Sequence, residues 1–229
     1  MKKILMLLLM ALAIFPVLAQ KDVTKFLGIP VDGTKAEMRK KLIAKGFTPT
    51  ELPGYDFLEG EFNGIDVNLF IVTNNNKVYR IYLCDARNRN EADIKIRYNT
   101  LVRQFNDNKR YVSFDDYTLS DDENISREMM THNKSYQAIF YQTIDLNKID
   151  TLAIQQKVKE ELLKKYTAEQ VEAPTAEIQE YADSISYSLE LEYLYKKPVW
   201  FTIIRKDYDQ YCIAMYYDNE YNHANGEDL

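Results

Sequence analysis

Two cysteines, Cys84 and Cys212, and two histidines, His132 and His223, are the side chains of this 229-residue chain best suited to nucleophilic, metal-ligating or proton-shuttling work near neutral pH. Each cysteine sits at or in a segment of strand periodicity. In an oxidising compartment the pair can close one long loop as a disulfide, a link worth ~2–4 kcal/mol where geometry permits. The plainer reading is two separate core thiols, because strand cysteines are commonly just small hydrophobes. His132 falls in a turn and His223 in a polar tail, so neither has a visible base or nucleophile beside it, and both read as surface histidines. G-x-S-x-G, H-E-x-x-H, C-x-x-C and a phosphate-cradling glycine loop are all missing from a sequence with only seven glycines. Among 35 acidic residues no pair is singled out for glycoside hydrolysis. The run Asp115-Asp116 with Asp121-Asp122-Glu123 lacks the alternating ligand spacing and central glycine of a calcium loop, so it reads as a solvated connector. No catalytic residue, metal ligand or cofactor is assigned.

Binding chemistry is better represented. Eighteen tyrosines suit amphipathic sheet faces, since tyrosine favours strands and tolerates one wet end. Tyr216, Tyr217, Asp218, Asn219 and Tyr221, taken with the lone Trp200, could offer rings and hydrogen-bonding groups to a sugar or a protein. The competing explanation is a strand end whose tyrosines cover the core and run into a polar tail.

The elements that position these residues follow from turns and periodicity. Met1-Lys2-Lys3 followed by the apolar run Ile4–Leu18, with Val17-Leu18-Ala19 as a cleavage site, reads as a signal peptide over 1–19. The run is too short and wrongly flanked to span a bilayer, so no transmembrane segment is expected once it is removed. Removing Lys2 and Lys3 leaves 27 of the 29 Lys+Arg against 35 Asp+Glu, a net charge of −8 that disfavours nucleic acid as a partner.

Asn63-Gly64, between Phe57–Phe62 and Ile65–Val72, supplies the two positive-φ residues of a type I′ hairpin turn. With Asn74-Asn75-Asn76 as the next turn, residues 55–83 form a three-stranded antiparallel meander. Before it, Phe26–Val31 reads as an edge strand. Thr34 and Glu37 have capping-box spacing ahead of a helix that stops at Gly46-Phe47. After it, Asn90 caps a helix with the stripe Ile94, Tyr98, Leu101, Val102 and Phe105. Residues 125–132 and 135–143 read as a hairpin, with a helix over 121–131 as the rival. Helices follow at 150–166 and from Pro174. Strict alternation of Ile185, Tyr187, Leu189, Leu191, Tyr193 and Tyr195 then predicts a strand over 184–195, leading a second meander that ends at Asp218. The expected fold is α+β, in two units (20–118 and 119–229), each with helices packed on a three-stranded antiparallel meander.

The stretches FLGIPVDGTKAEMRKKLIAKGF, LEGEFNG and YYDNEYNHANGEDL resemble uncharacterised exported proteins of Bacteroidetes-type bacteria. That resemblance implies an exported α+β protein and carries over no catalytic residue. The element order is also similar to periplasmic domains with helices on one face of an antiparallel sheet, such as outer-membrane assembly lipoproteins and β-lactamase inhibitory proteins. The reading is therefore an exported, periplasmic or extracellular, non-catalytic binding protein for an unknown protein or carbohydrate. An inhibitor or envelope-assembly factor, and a hydrolase with dispersed acids, are the alternatives.

Overall fold

A computed structural model describes residues 21–224. The signal segment over 1–19 lies outside the described residues. In chain order the elements are β1 (Lys25–Phe26), β2 (Ile29–Pro30), α1 (Lys35–Ile43), β3 (Thr48–Pro49), β4 (Leu58–Phe62), β5 (Ile65–Asn74), β6 (Lys77–Asp85), α2 (Glu91–Asn106), β7 (Tyr111–Val112), α3 (Ile125–Thr131), β8 (Gln137–Gln142), α4 (Thr151–Leu163), α5 (Ala168–Glu172), α6 (Ala176–Leu194), β9 (Pro198–Arg205) and β10 (Tyr211–Asp218). By density of contacts, the described chain divides into a small helical unit, Asp145–Ser186 with residues 21–22, and a larger unit of Val23–Ile144 with residues 187–224.

The larger unit is built on one eight-stranded antiparallel sheet in the order β3-β4-β5-β6-β10-β9-β8-β7. From either edge inward the order is a two-residue strand followed by three longer ones, and the last strands of the two halves, β6 and β10, meet in the middle. Local chemistry explains the first half well. Asn63 and Gly64 take φ of 54° and 73°, and Asn75 and Asn76 take 46° and 61°, so both β4–β5 and β5–β6 turn through pairs of left-handed residues. Thr34 and Glu37 form the reciprocal capping box. The end of α1 closes with Phe47 N–H donating to the Leu42 carbonyl and Gly46 N–H to that of Ile43, with Gly46 at φ 101°. Met38 and Leu42 of α1, the α2 stripe and Ile125 of α3 pack into one buried cluster. With them lie Val67, Leu69, Ile71, Ile81, Leu83, Ile213, Met215, Val199, Phe201, Ala138 and Phe140, the residues that alternate onto a single face of the sheet.

Three expectations are corrected. Of residues 184–195, all but Tyr195 are helical, within α6, so the second three-stranded meander does not begin there. A period of two contains every i, i+4 pair of a helix, so Ile185, Leu189 and Tyr193 serve both patterns. With no glycine or proline between 176 and 194, the helix begun after Pro174 simply propagates. β8 takes the place of the missing strand, pairing with β9 through Ile139↔Trp200. Within 125–132, Ile125–Thr131 forms helix α3 rather than a strand, as the rival reading over 121–131 has it. Asn124 caps it locally, and the Glu91 carboxylate accepts from Ile125 N–H at 2.6 Å and from Ser126 Oγ at 2.6 Å. Phe26–Val31 folds back on itself as the β1–β2 hairpin, turning through Leu27-Gly28, and does not join the main sheet.

The smaller unit is helical. Asp150 caps α4 through its side chain, and Thr167 with Gln170 forms a capping box on α5. Tyr166 and Tyr181 meet edge to face at 6.1 Å, with the Lys165 ammonium 4.4 Å from the Tyr181 ring.

Phe47, which follows α1, packs closely on β4. A Cβ on Gly60 would lie 2.6 Å from the ring of Phe47, which is only 2 % exposed. Gly60→Ala is therefore expected to cost about 1–3 kcal/mol in urea unfolding. A variant as stable as the parent would contradict this packing.

Candidate functional site

The same pleat that turns the apolar residues of the sheet inward sends their neighbours to its second face. Register then fixes which of those neighbours touch. Phe70 on β5 pairs with Tyr82 on β6, Tyr82 with Tyr216 on β10, and Tyr216 with Trp200 on β9. The result is a row of four rings crossing four strands. Centroids are 5.2 Å apart for Phe70–Tyr82, 5.0 Å for Tyr82–Tyr216 and 3.8 Å for Tyr216–Trp200, with interplanar angles of 26°, 20° and 13°. Phe57 adds a tilted fifth ring 5.3 Å beyond Phe70. The four are half-buried, and burial raises the pKa of the Tyr82 and Tyr216 hydroxyls, which stay protonated donors.

One ion pair organises the row's central part. Arg80 holds Asp218 with two hydrogen bonds, Nε to Oδ1 at 2.6 Å and Nη2 to Oδ2 at 2.8 Å, and Trp200 Nε1 donates to the same Oδ2 at 2.9 Å. The guanidinium carbon lies 4.9 Å from the Tyr216 ring and 5.5 Å from that of Trp200. The hydrogen bonds to Asp218 raise the Arg80 pKa, so the site carries a fixed cation at every relevant pH. Asp218 is 2 % exposed, and its carboxylate oxygens are occupied by these partners.

The candidate residues therefore separate. Trp200, Tyr216 and Asp218 come together. Tyr217 points to the opposite face, 3 % exposed, where its ring meets Phe26 at 5.0 Å. Asn219 is fully buried. Its side chain donates to the Val31 carbonyl at 2.7 Å and accepts from Tyr221 N–H at 3.1 Å, so it ties the chain after β10 to the segment after β2. Asn222 continues that tie to Asp32 and the Val78 carbonyl. Tyr221 is half-buried beside this clasp, away from the ring row's register. Phe70, Arg80 and Tyr82 escaped the sequence reading. The Tyr82-to-Tyr216 pairing that would have found them lies between strands of opposite halves of the chain.

The remaining chemistry-bearing groups are placed as follows. Cys84 and Cys212 lie on β6 and β10, unbonded, with sulfurs 3.4 Å apart. His132 is exposed and meets both Glu128 and the Thr131 hydroxyl at 3.0 Å through the same Nδ1, whereas a relay needs the two ring nitrogens separately. His223 packs edge-on against Tyr79. In the acidic connector, Asp116 accepts from Thr118 N–H, and Glu123 takes up Lys134 and the Tyr136 hydroxyl. Among the described residues, no group of three metal-ligating side chains is assembled. An open cleft of about 550 Å³ beside β4 and β5 is lined in part by Phe57, Glu59, Glu61 and Asp66. Its three carboxylates are exposed, and Asp66 is paired with Arg87. No helix among the described residues is long and apolar enough to cross a membrane.

No protein family, curated protein or solved structure matches this chain.

Removing the Asp218 carboxylate leaves Arg80 and Trp200 Nε1 without their acceptor. Asp218→Ala should cost about 2–3 kcal/mol in urea unfolding, while the double variant Arg80→Met, Asp218→Ala recovers part of that loss. An unaffected single variant would contradict the organising role of the pair.

Proposed function

We propose that this is an exported, non-catalytic binding protein that engages another polypeptide through the ring row on the second face of its sheet. The observation that carries the proposal is the Phe70–Tyr82–Tyr216–Trp200 row itself, half-buried and continuous over four strands. The buried core cluster lies on the other face and contains none of these four rings. Sugars stack their C–H groups on open ring faces. Here Phe70, Tyr82 and Tyr216 each lie between two ring neighbours and Trp200 is stacked on one side by Tyr216, and the row presents ring edges, two tyrosine hydroxyls and the Arg80 cation. Ring edges carry positive partial charge and suit backbone carbonyls, carboxylates and apolar side chains. A polypeptide offers all three, and amphipathic aromatics with arginine are the residues that dominate protein–protein hot spots. The signal-like segment over 1–19 supports export, and an inhibitor or envelope-assembly factor is one form such a role takes.

The test is retention of a polypeptide from envelope extract by the immobilised mature chain, compared with Tyr82→Leu and Trp200→Leu. Each variant keeps an apolar side chain in the row. Loss of about 2 kcal/mol, roughly thirtyfold in affinity, is expected from each, with circular dichroism unchanged. Undiminished retention by both variants, or binding of an oligosaccharide panel with no polypeptide captured, would overturn the proposal. The exported chain is expected to begin at Gln20; recovery of uncleaved protein from the cytoplasm would count against export.

A further inference from the structure

One row above the rings, the second face of the sheet changes character. Asn68 on β5 pairs with Cys84 on β6, Cys84 with Ala214 on β10, and Ala214 with Thr202 on β9, so small side chains replace rings. Cys212 lies two residues before Ala214, diagonal to Cys84, and brings its sulfur to 3.4 Å from that of Cys84. Closing to a bond of ~2.05 Å asks each sulfur to move about 0.7 Å. The two thiols are not equivalent. Cys84 is half-buried and Cys212 fully buried. The directly opposed partner of Cys84 is Ala214, and diagonal positions on antiparallel strands are further apart than opposed ones. The sulfur contact thus joins two residues that the ladder does not pair directly.

We propose that Cys84 and Cys212 form a thiol–disulfide exchange site, with Cys84 as the attacking residue, Cys212 as the resolving residue, and a small disulfide of the glutathione type as substrate. The Cys84 thiolate attacks one sulfur of R–S–S–R. That bond breaks, the mixed disulfide Cys84–S–S–R forms, and the first thiolate leaves and takes a proton from water. Cys212 gives its proton to water, attacks Cys84 Sγ and expels the second thiol. Two protein thiols are oxidised by two electrons, and the substrate disulfide is reduced to two RSH.

The surroundings support this division of roles. The contact with Cys212 lowers the Cys84 pKa most, burial opposes, and the Tyr82 hydroxyl and Lys206 add to the lowering against Asp85. The same contact and burial push Cys212 up, keeping it protonated until it is needed. Asn68, facing Cys84 from β5, is neutral. A thiol whose pKa is lowered carries more thiolate, the attacking form, at neutral pH than an ordinary one.

The experiment uses the reduced full-length mature chain and glutathione disulfide at pH 7, read by intact mass and alkylation. The wild-type chain is expected to lose two hydrogens and both alkylatable thiols, and to regain them with dithiothreitol. Cys212→Ser, which keeps a hydroxyl donor beside Cys84, should stop at one glutathionyl group on Cys84. Cys84→Ser should remain unmodified over the same time. Exchange and polypeptide retention are read on the same wild-type preparation, so a chain that exchanges without retaining a polypeptide, or retains one without exchanging, separates the two proposals. Two alkylatable thiols persisting in the wild-type chain under excess glutathione disulfide would overturn the proposal, as would glutathionylation of Cys84→Ser as fast as of Cys212→Ser.

Discussion

Everything assigned to the second face of the sheet depends on the pairing of β6 with β10. Five residue pairs, from Ala214↔Cys84 to Asp218↔Arg80, join the two halves of the chain into one sheet. The Arg80–Asp218 contact alone spans 138 residues. Such a pairing closes a long loop, and its entropic cost must be met before any contact across it forms. What offsets that cost is visible on both sides of the ladder. Inward, Ile81, Leu83, Met215 and Tyr217 complete one apolar core with α1 and α2. Outward, Tyr82 stacks on Tyr216, and Arg80 closes on Asp218.

The pairing also explains why binding chemistry and thiol chemistry are neighbours. Successive residues of β6 that share the outer face are Arg80, Tyr82 and Cys84, and each meets a β10 counterpart: Asp218, Tyr216 and, diagonally, Cys212. The ion pair, the ring pair and the thiol pair are three steps along one ladder. Tyr82 connects the last two, since its ring lies in the row while its hydroxyl favours the Cys84 thiolate. The chain beyond Asp218 then returns through Asn219 and Asn222 to Val31, Asp32 and Val78, fixing the end of β10 against the first half.

Local chemistry was legible in the sequence; long-range register was not. Asn63-Gly64 specified its turn because few other dipeptides accept two positive φ values, and Thr34–Glu37 specified a helix start because the reciprocal bonds need that spacing. The α2 stripe was readable for the same reason: its period and its buried face coincide. Residues 184–195 misled because an alternating run is also a subset of a helical one, and only the uninterrupted helix upstream decides between them. α3 depends on Glu91, far from it in sequence, for the bonds that satisfy its first turn. The aromatic patch was located but not resolved. Sequence adjacency grouped Tyr216 with Tyr217 and Asn219, whereas the pleat sends Tyr217 into the core, and the register brings Tyr82 and Phe70 in their place.

Hydrogen exchange on the native protein tests the central pairing most directly. If β6–β10 is the seam on which one sheet depends, the amides of β5, β6, β10 and β9 should exchange through a single global opening, with the same, highest free energy. Protection of β5–β6 at one level and β9–β10 at another, with the β6–β10 amides exchanging faster than either, would mean two sheets that fold separately, and would contradict this account.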